Sequence, residues 1–204
     1  MKSFCLAALV ALSCLRAQAT IQINPTWGDL RNANATLMPA GGLVLLVASP
    51  DGTFGGPTAS SFVTGGDVVL FQVGLAQPGF FQSPFTVDLS SFPSVTTGNL
   101  MQLYWFPTLT LADYNDTVTP GPGAGTAFGS YRSDAGVDGS VPWVIPGAND
   151  QAVILNFVTA SQGGSNPDSA GVALSVVPEA SNLITAALAV GFCAVRLIRR
   201  ARQK

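Results

Sequence analysis

Between residues 20 and 178 the only carboxylates are ten aspartates, and that stretch contains no histidine, cysteine, lysine or glutamate. A Ser-His-Asp triad, a Ser-Lys dyad, a Cys-His pair and a zinc site built from His or Cys all need a residue that is missing there. Two aspartates held about 5 to 10 Å apart could still hydrolyse a glycosidic bond, one as acid and one as base or nucleophile. The residues permit that chemistry in principle, but the expectation is a protein that is not an enzyme. Gly121-Pro122-Gly123-Ala124-Gly125-Thr126 superficially suggests a phosphate cradle, but no Gly-Lys-Ser/Thr follows, so it reads as a turn. Asp134, Asp138, Gly139 and Ser140 resemble a fragment of a calcium loop, yet their spacing matches no EF-hand. Aspartates in surface turns ordinarily bond their own backbone. Neither a cofactor nor a metal is expected.

Aromatic residues supply a second chemistry, because Trp and Tyr faces can stack on sugar rings. Tyr104-Trp105-Phe106, Trp27, Tyr131 and Trp143 are available, and Trp105 and Trp143 are the candidates for stacking on a glycan such as an exopolysaccharide. The competing expectation is packing: in a strand Tyr104 and Phe106 share one face and Trp105 takes the other, so at least one side belongs to a core. The sequons Asn34-Ala35-Thr36 and Asn115-Asp116-Thr117 permit N-glycosylation where the machinery exists.

The elements that position these residues are short. Apolar runs at 43–48, 68–73, 85–89, 100–106, 152–159 and 172–177, with weaker ones near Ile21, Phe62 and Phe128, are separated by Gly, Pro, Asn, Asp and Ser. Alternation in FTVDLS and VILNFV predicts strands with one face on a core and one in water. No helical pattern runs ten residues without Gly or Pro. The expected class is all-β, an antiparallel sandwich or jelly roll. Gly-rich stretches at 49–61, 119–130 and 161–171 read as long connections within one domain. Cys5, Cys14 and Cys193 all fall outside the 20–178 region, which therefore has no disulfide framework.

Charge divides the chain differently. Residues 20–178 carry two arginines, Arg31 and Arg132, against ten aspartates, a formal charge of −8 that excludes nucleic acid as a partner. At the N-terminus, Lys2, an apolar stretch and Ala17-Gln18-Ala19 form a signal peptide over 1–19, with cleavage by signal peptidase expected before Thr20. Ala11-Leu12-Ser13-Cys14 offers a competing, looser lipobox. At the other end, Arg196, Arg199, Arg200, Arg202 and Lys204 are five of the nine basic residues of the chain. They follow an apolar segment, 183–198, that as a helix would reach about 24 Å, somewhat short of a hydrocarbon core of about 30 Å. Basic residues there stop transfer and stay cytoplasmic by the positive-inside rule, so the segment is expected to be a transmembrane helix.

Val177-Pro178-Glu179, then the apolar helix, then the arginine cluster, on a chain with a signal peptide, resembles the PEP-CTERM sorting signal over residues 177–204. Ala180 stands where that family has a second proline. The resemblance implies that Val177, Pro178 and Glu179 are read by an exosortase, a membrane protease. It implies an inner-membrane precursor in a Gram-negative bacterium and delivery to the cell surface or extracellular matrix. The organisation expected is thus a signal peptide at 1–19, a β-rich exported domain at 20–176 and a sorting tail at 177–204.

Overall fold

A computed structural model describes residues 20–115, 120–132, 142–147, 151–158 and 175–177. Eight strands lie within them: β1 (Thr20–Gly28), β2 (Leu43–Ser49), β3 (Val68–Gly74), β4 (Phe85–Asp88), β5 (Leu100–Phe106), β6 (Ala127–Tyr131), β7 (Gln151–Val158) and β8 (Ser175–Val176). One helical turn, α1 (Leu111–Tyr114), and a 3-10 turn, Leu89–Ser91, are the helical elements among the described residues. The described fold is all-β. Its strands form two sheets, one ordered β4-β1-β7 and the other β3-β2-β5-β6-β8.

β2 is LVLLVAS, a run with no polar residue before its last position, and every residue in it is buried. Such a run marks a strand covered on both faces. Val44, Leu46 and Ala48 point into the inner core, where they meet Ile21, Ile23 and Trp27 of β1, Leu155 of β7, and Met101, Leu103 and Trp105 of β5. Leu43, Leu45 and Val47 point the other way, into an outer core with Tyr104, Phe106 and Phe62. The 50–66 segment roofs this outer core through Phe54, Phe62 and Val63, and α1 adds Tyr114. A β-bulge reconciles β2 with β3. Leu46 faces Phe71 but Val47 faces Val69, so Leu70 is the extra residue and the inward and outward sets stay matched across the pair.

Two expectations are corrected. All pairings of the five-stranded sheet are antiparallel, as is β1 with β4, but β1 runs parallel to β7 from Ile21↔Gln151 to Gly28↔Val158. A parallel neighbour needs a long crossover, and the chain between β1 and β7 supplies one. Nor does Phe62 sit on a strand: the backbone around it makes one isolated bridge, Thr58↔Ser61.

β1 is longer than its weak signal suggested, since Pro25 interrupts the pattern of strand-forming residues. The proline is tolerated because β4 pairs with β1 only as far as Ile23↔Phe85, and pairing resumes at Trp27↔Phe81. Pro25 falls in the gap, where no partner needs its missing N–H.

Candidate functional site

Neither tryptophan proposed to stack on sugar is available to one. Trp105 is 0% exposed and donates from Nε1 to the Arg31 carbonyl at 2.9 Å. Trp143 is 2% exposed and meets Tyr131 edge-to-face, ring centres 5.2 Å apart. Burial of both rings in the inner core removes the faces a pyranose would need. That expectation is overturned in favour of packing.

The described aspartates are engaged locally. Asp29, with φ 53°, is buried beside Arg31 at 2.9 Å. Asp88 caps the 3-10 turn by accepting from the Ser90 N–H at 2.9 Å, and Asp113 accepts from the Thr110 N–H and hydroxyl at the start of α1. Asp51 accepts from the Thr53 N–H at 2.8 Å and the Ser49 hydroxyl at 2.9 Å, and these two bonds hold its carboxyl below the usual range. Asp67 is only 8% exposed and accepts from the Gly55 N–H at 3.0 Å. Burial pushes Asp67 up, and the negative charge of Asp51 adds to the effect against the Gly55 and Ser49 hydrogen bonds. Asp51 and Asp67 therefore feel each other's charge, but a carboxyl buried beneath the roof offers no access to a glycosidic bond. Among the described residues no three potential metal ligands of the His, Cys, Asp and Glu types lie together.

A groove of about 460 Å³ opens among the described residues where the roof meets β5 and β6. Thr53 and Phe54 line it from the roof, Gln102 from β5, and Ser130, Tyr131 and Arg132 from the end of β6. The Arg132 guanidinium carbon lies 5.7 Å from the Phe54 ring centre, a cation–π geometry. Sequence reasoning missed this grouping because its members are scattered from 53 to 132. One signal was present: Phe54 and Phe62 stand in an otherwise polar, Gly-rich loop, and large aromatics in such a loop are there to pack.

Of the sorting motif, Val177 is described. It is fully buried, its N–H donates to the Thr126 carbonyl at 2.9 Å, and its own carbonyl accepts from the Gly125 N–H at 3.3 Å. It thus packs with the β domain, although the sequence reading places it in the tail that starts at 177. Pro178, Glu179, the 183–198 segment, Arg196, Arg199, Arg200, Arg202, Lys204 and the signal residues Ala17 and Ala19 lie outside the described residues. The same holds for Asp134, Asp138 and the second sequon beyond Asn115.

The fold and site define an all-β, two-sheet domain with an acidic composition. No protein-family model matches the chain, and no curated protein or solved structure is similar to it.

Proposed function

We propose that this is an exported, non-enzymatic structural protein of the cell surface or extracellular matrix, with a sandwich-type β domain sorted by an exosortase through its C-terminal tail. The order Val177-Pro178-Glu179, apolar segment, arginine cluster carries this reading. Two further observations support it. The first residue of the motif belongs to the described β structure, since Val177 is buried and bonded on both backbone groups. The described aspartates are spent on caps, turns and an ion pair rather than on a shared open cleft.

Glu179→Gln separates sorting from plain anchoring. The change lies outside the apolar segment, so a simple single-pass anchor keeps the same size and membrane fraction. A sorting signal that can no longer be read leaves an uncleaved precursor in the inner membrane and less protein at the surface. The measurement is an immunoblot of fractionated cells in a host that has an exosortase, with deletion of 199–204 as the control that disturbs both. Identical size and location for wild type and Glu179→Gln would leave a single-pass membrane protein.

A second reading, a module that binds exopolysaccharide, rests on the groove of Phe54, Gln102, Tyr131 and Arg132. Hydroxyl-rich ligands with a carboxylate would suit its mix of amide, aromatic and guanidinium groups. On a glycan array, binding lost in Arg132→Ala with the fold intact favours this reading. No binding by the wild type removes it.

A further inference from the structure

We propose that the sorting motif is cryptic in the folded domain: β8 and Val177 are strapped onto β6 and the turn before it, and a protease reads Val177 only after this strap peels away. The proposal rests on the exosortase reading of the tail given above and adds a regulation of that same site.

A protease that reads an extended segment takes hold of its backbone N–H and C=O groups and seats its side chains in pockets. Val177 has none of these to offer while docked. Its side chain is 0% exposed, its N–H donates to the Thr126 carbonyl at 2.9 Å, and its carbonyl accepts from the Gly125 N–H at 3.3 Å. The two residues before it lie in an antiparallel ladder, Ser175 facing Phe128 and Val176 facing Ala127. Pro178 has no N–H with which to continue that ladder, so regular pairing has its limit at the first residue of the motif. A residue before proline is biased to extended conformations, which suit a strand and a protease substrate equally. The domain and the protease therefore compete for the same groups of Val177.

The surface that receives the strap is built by the folded domain. Gly125 has φ 78°, a conformation that favours glycine, and in it directs its N–H at Val177. Within the same turn the Thr126 hydroxyl donates to the Pro122 carbonyl. The Gly123 N–H donates to the Ala59 carbonyl at 3.0 Å, which ties the turn to the roof. Gly121 approaches the roof so closely that a Cβ there would collide with the backbone of Ser60 and Ser61. Roof, turn and strap are thus stacked in that order, and the strap is outermost in the chain of contacts.

It is also the part of the sheet that opens most readily. β8 is two residues long, stands at the edge of its sheet and, among the described residues, pairs with β6 alone. Segments held by few backbone bonds open before a core does. A protease sees the open fraction, and its apparent affinity falls in proportion to that fraction. Docking of β8 accordingly slows processing, and a chain whose strap has not yet docked is the better substrate.

Pulse–chase of the full-length chain, in a host that has an exosortase, tests the strap through the rate at which precursor becomes processed protein. A disulfide can lock it. Val177 bonds to Thr126, so the neighbouring facing pair, Ala127 and Val176, is the closer, non-hydrogen-bonded kind that an S–S bridge can span. Residues 20–178 contain no cysteine, and the exported side of the membrane is oxidising. Processing of the Ala127→Cys, Val176→Cys double variant should fall about tenfold or more and recover on adding dithiothreitol. Each single variant, a control for pairing with Cys193, should be processed like the wild type. Gly125→Ala strains the positive φ and turns the N–H away from Val177, so processing should be about fivefold faster. It decides the matter if the double variant fails to fold or keeps its thiols reduced. A bridged chain processed at the wild-type rate overturns the strap, as does a Gly125→Ala chain with no gain in rate, and both results leave sorting intact. A wild type processed no more than Glu179→Gln removes the sorting reading and the strap together.

Discussion

Trp105→Ala should cost about 3–5 kcal/mol of folding stability, a large share of the 5–15 kcal/mol that holds a typical domain together. The indole is fully buried in the inner core, and its Nε1 satisfies the Arg31 carbonyl, so truncation opens a cavity and leaves that carbonyl without this donor. Gly129, directly opposite Trp105 on β6, should prove nearly as sensitive from the other side. A Cβ at Gly129 would land on the six-membered ring of the indole, so Gly129→Ala forces the ring out of place. Overpacking of this kind costs about 1–3 kcal/mol. In the double variant the new methyl occupies space the indole has vacated, and the two losses should sum to about 1 kcal/mol less than their separate values. Denaturation midpoints of the four proteins measure this. A Trp105→Ala midpoint equal to wild type, with Gly129→Ala tolerated, would return Trp105 to the surface and revive it as a stacking platform.

Sequence periodicity was legible where a strand has one environment per face, and failed where tertiary context intervenes. β5 and β3 follow their apolar runs closely. β1 was only faintly visible because propensity penalises Pro25 wherever it falls, and only the pairing shows that its missing N–H faces a gap. The parallel alignment of β1 with β7 was not legible at all, since direction is set by how a long crossover returns. The aromatic cluster was read correctly as alternating, but alternation alone cannot say how many faces are covered. Both faces of β5 turned out to be buried from Leu103 to Phe106, because a segment that reads as a polar loop folds back over one of them. The same roof hides Asp67, which accepts from the Gly55 N–H twelve residues earlier, a link that no linear pattern announces. By contrast, the reading proposed for the tail rests on a linear pattern of charge and hydropathy and needs no fold.

Phe62→Ala should detach the roof while leaving the inner core in place. Phe62 is 4% exposed and packs edge-to-face on Phe106, ring centres 5.4 Å apart, and on Tyr114 at 5.1 Å. Removing a buried phenyl costs about 3–5 kcal/mol, and here the loss falls on one segment whose remaining fastenings are the partly buried Phe54 and Val63 and a few hydrogen bonds. The segment can therefore open before the sheets do. Two phenols report on that opening. Burial raises both Tyr104 and Tyr114 above the ordinary value of 10.0, and the roof contributes to burying both. In Phe62→Ala both should titrate closer to 10.0, visible as earlier tyrosinate absorbance on raising the pH. The linkage has one sign throughout: a phenol raised by burial contributes stability below its ordinary value and loses it as pH rises through the raised one. The wild type should accordingly weaken in alkali through these two groups, and Phe62→Ala should show less of that dependence. An unchanged tyrosinate titration in a variant that has lost stability would mean that the inner core, not the roof, had given way.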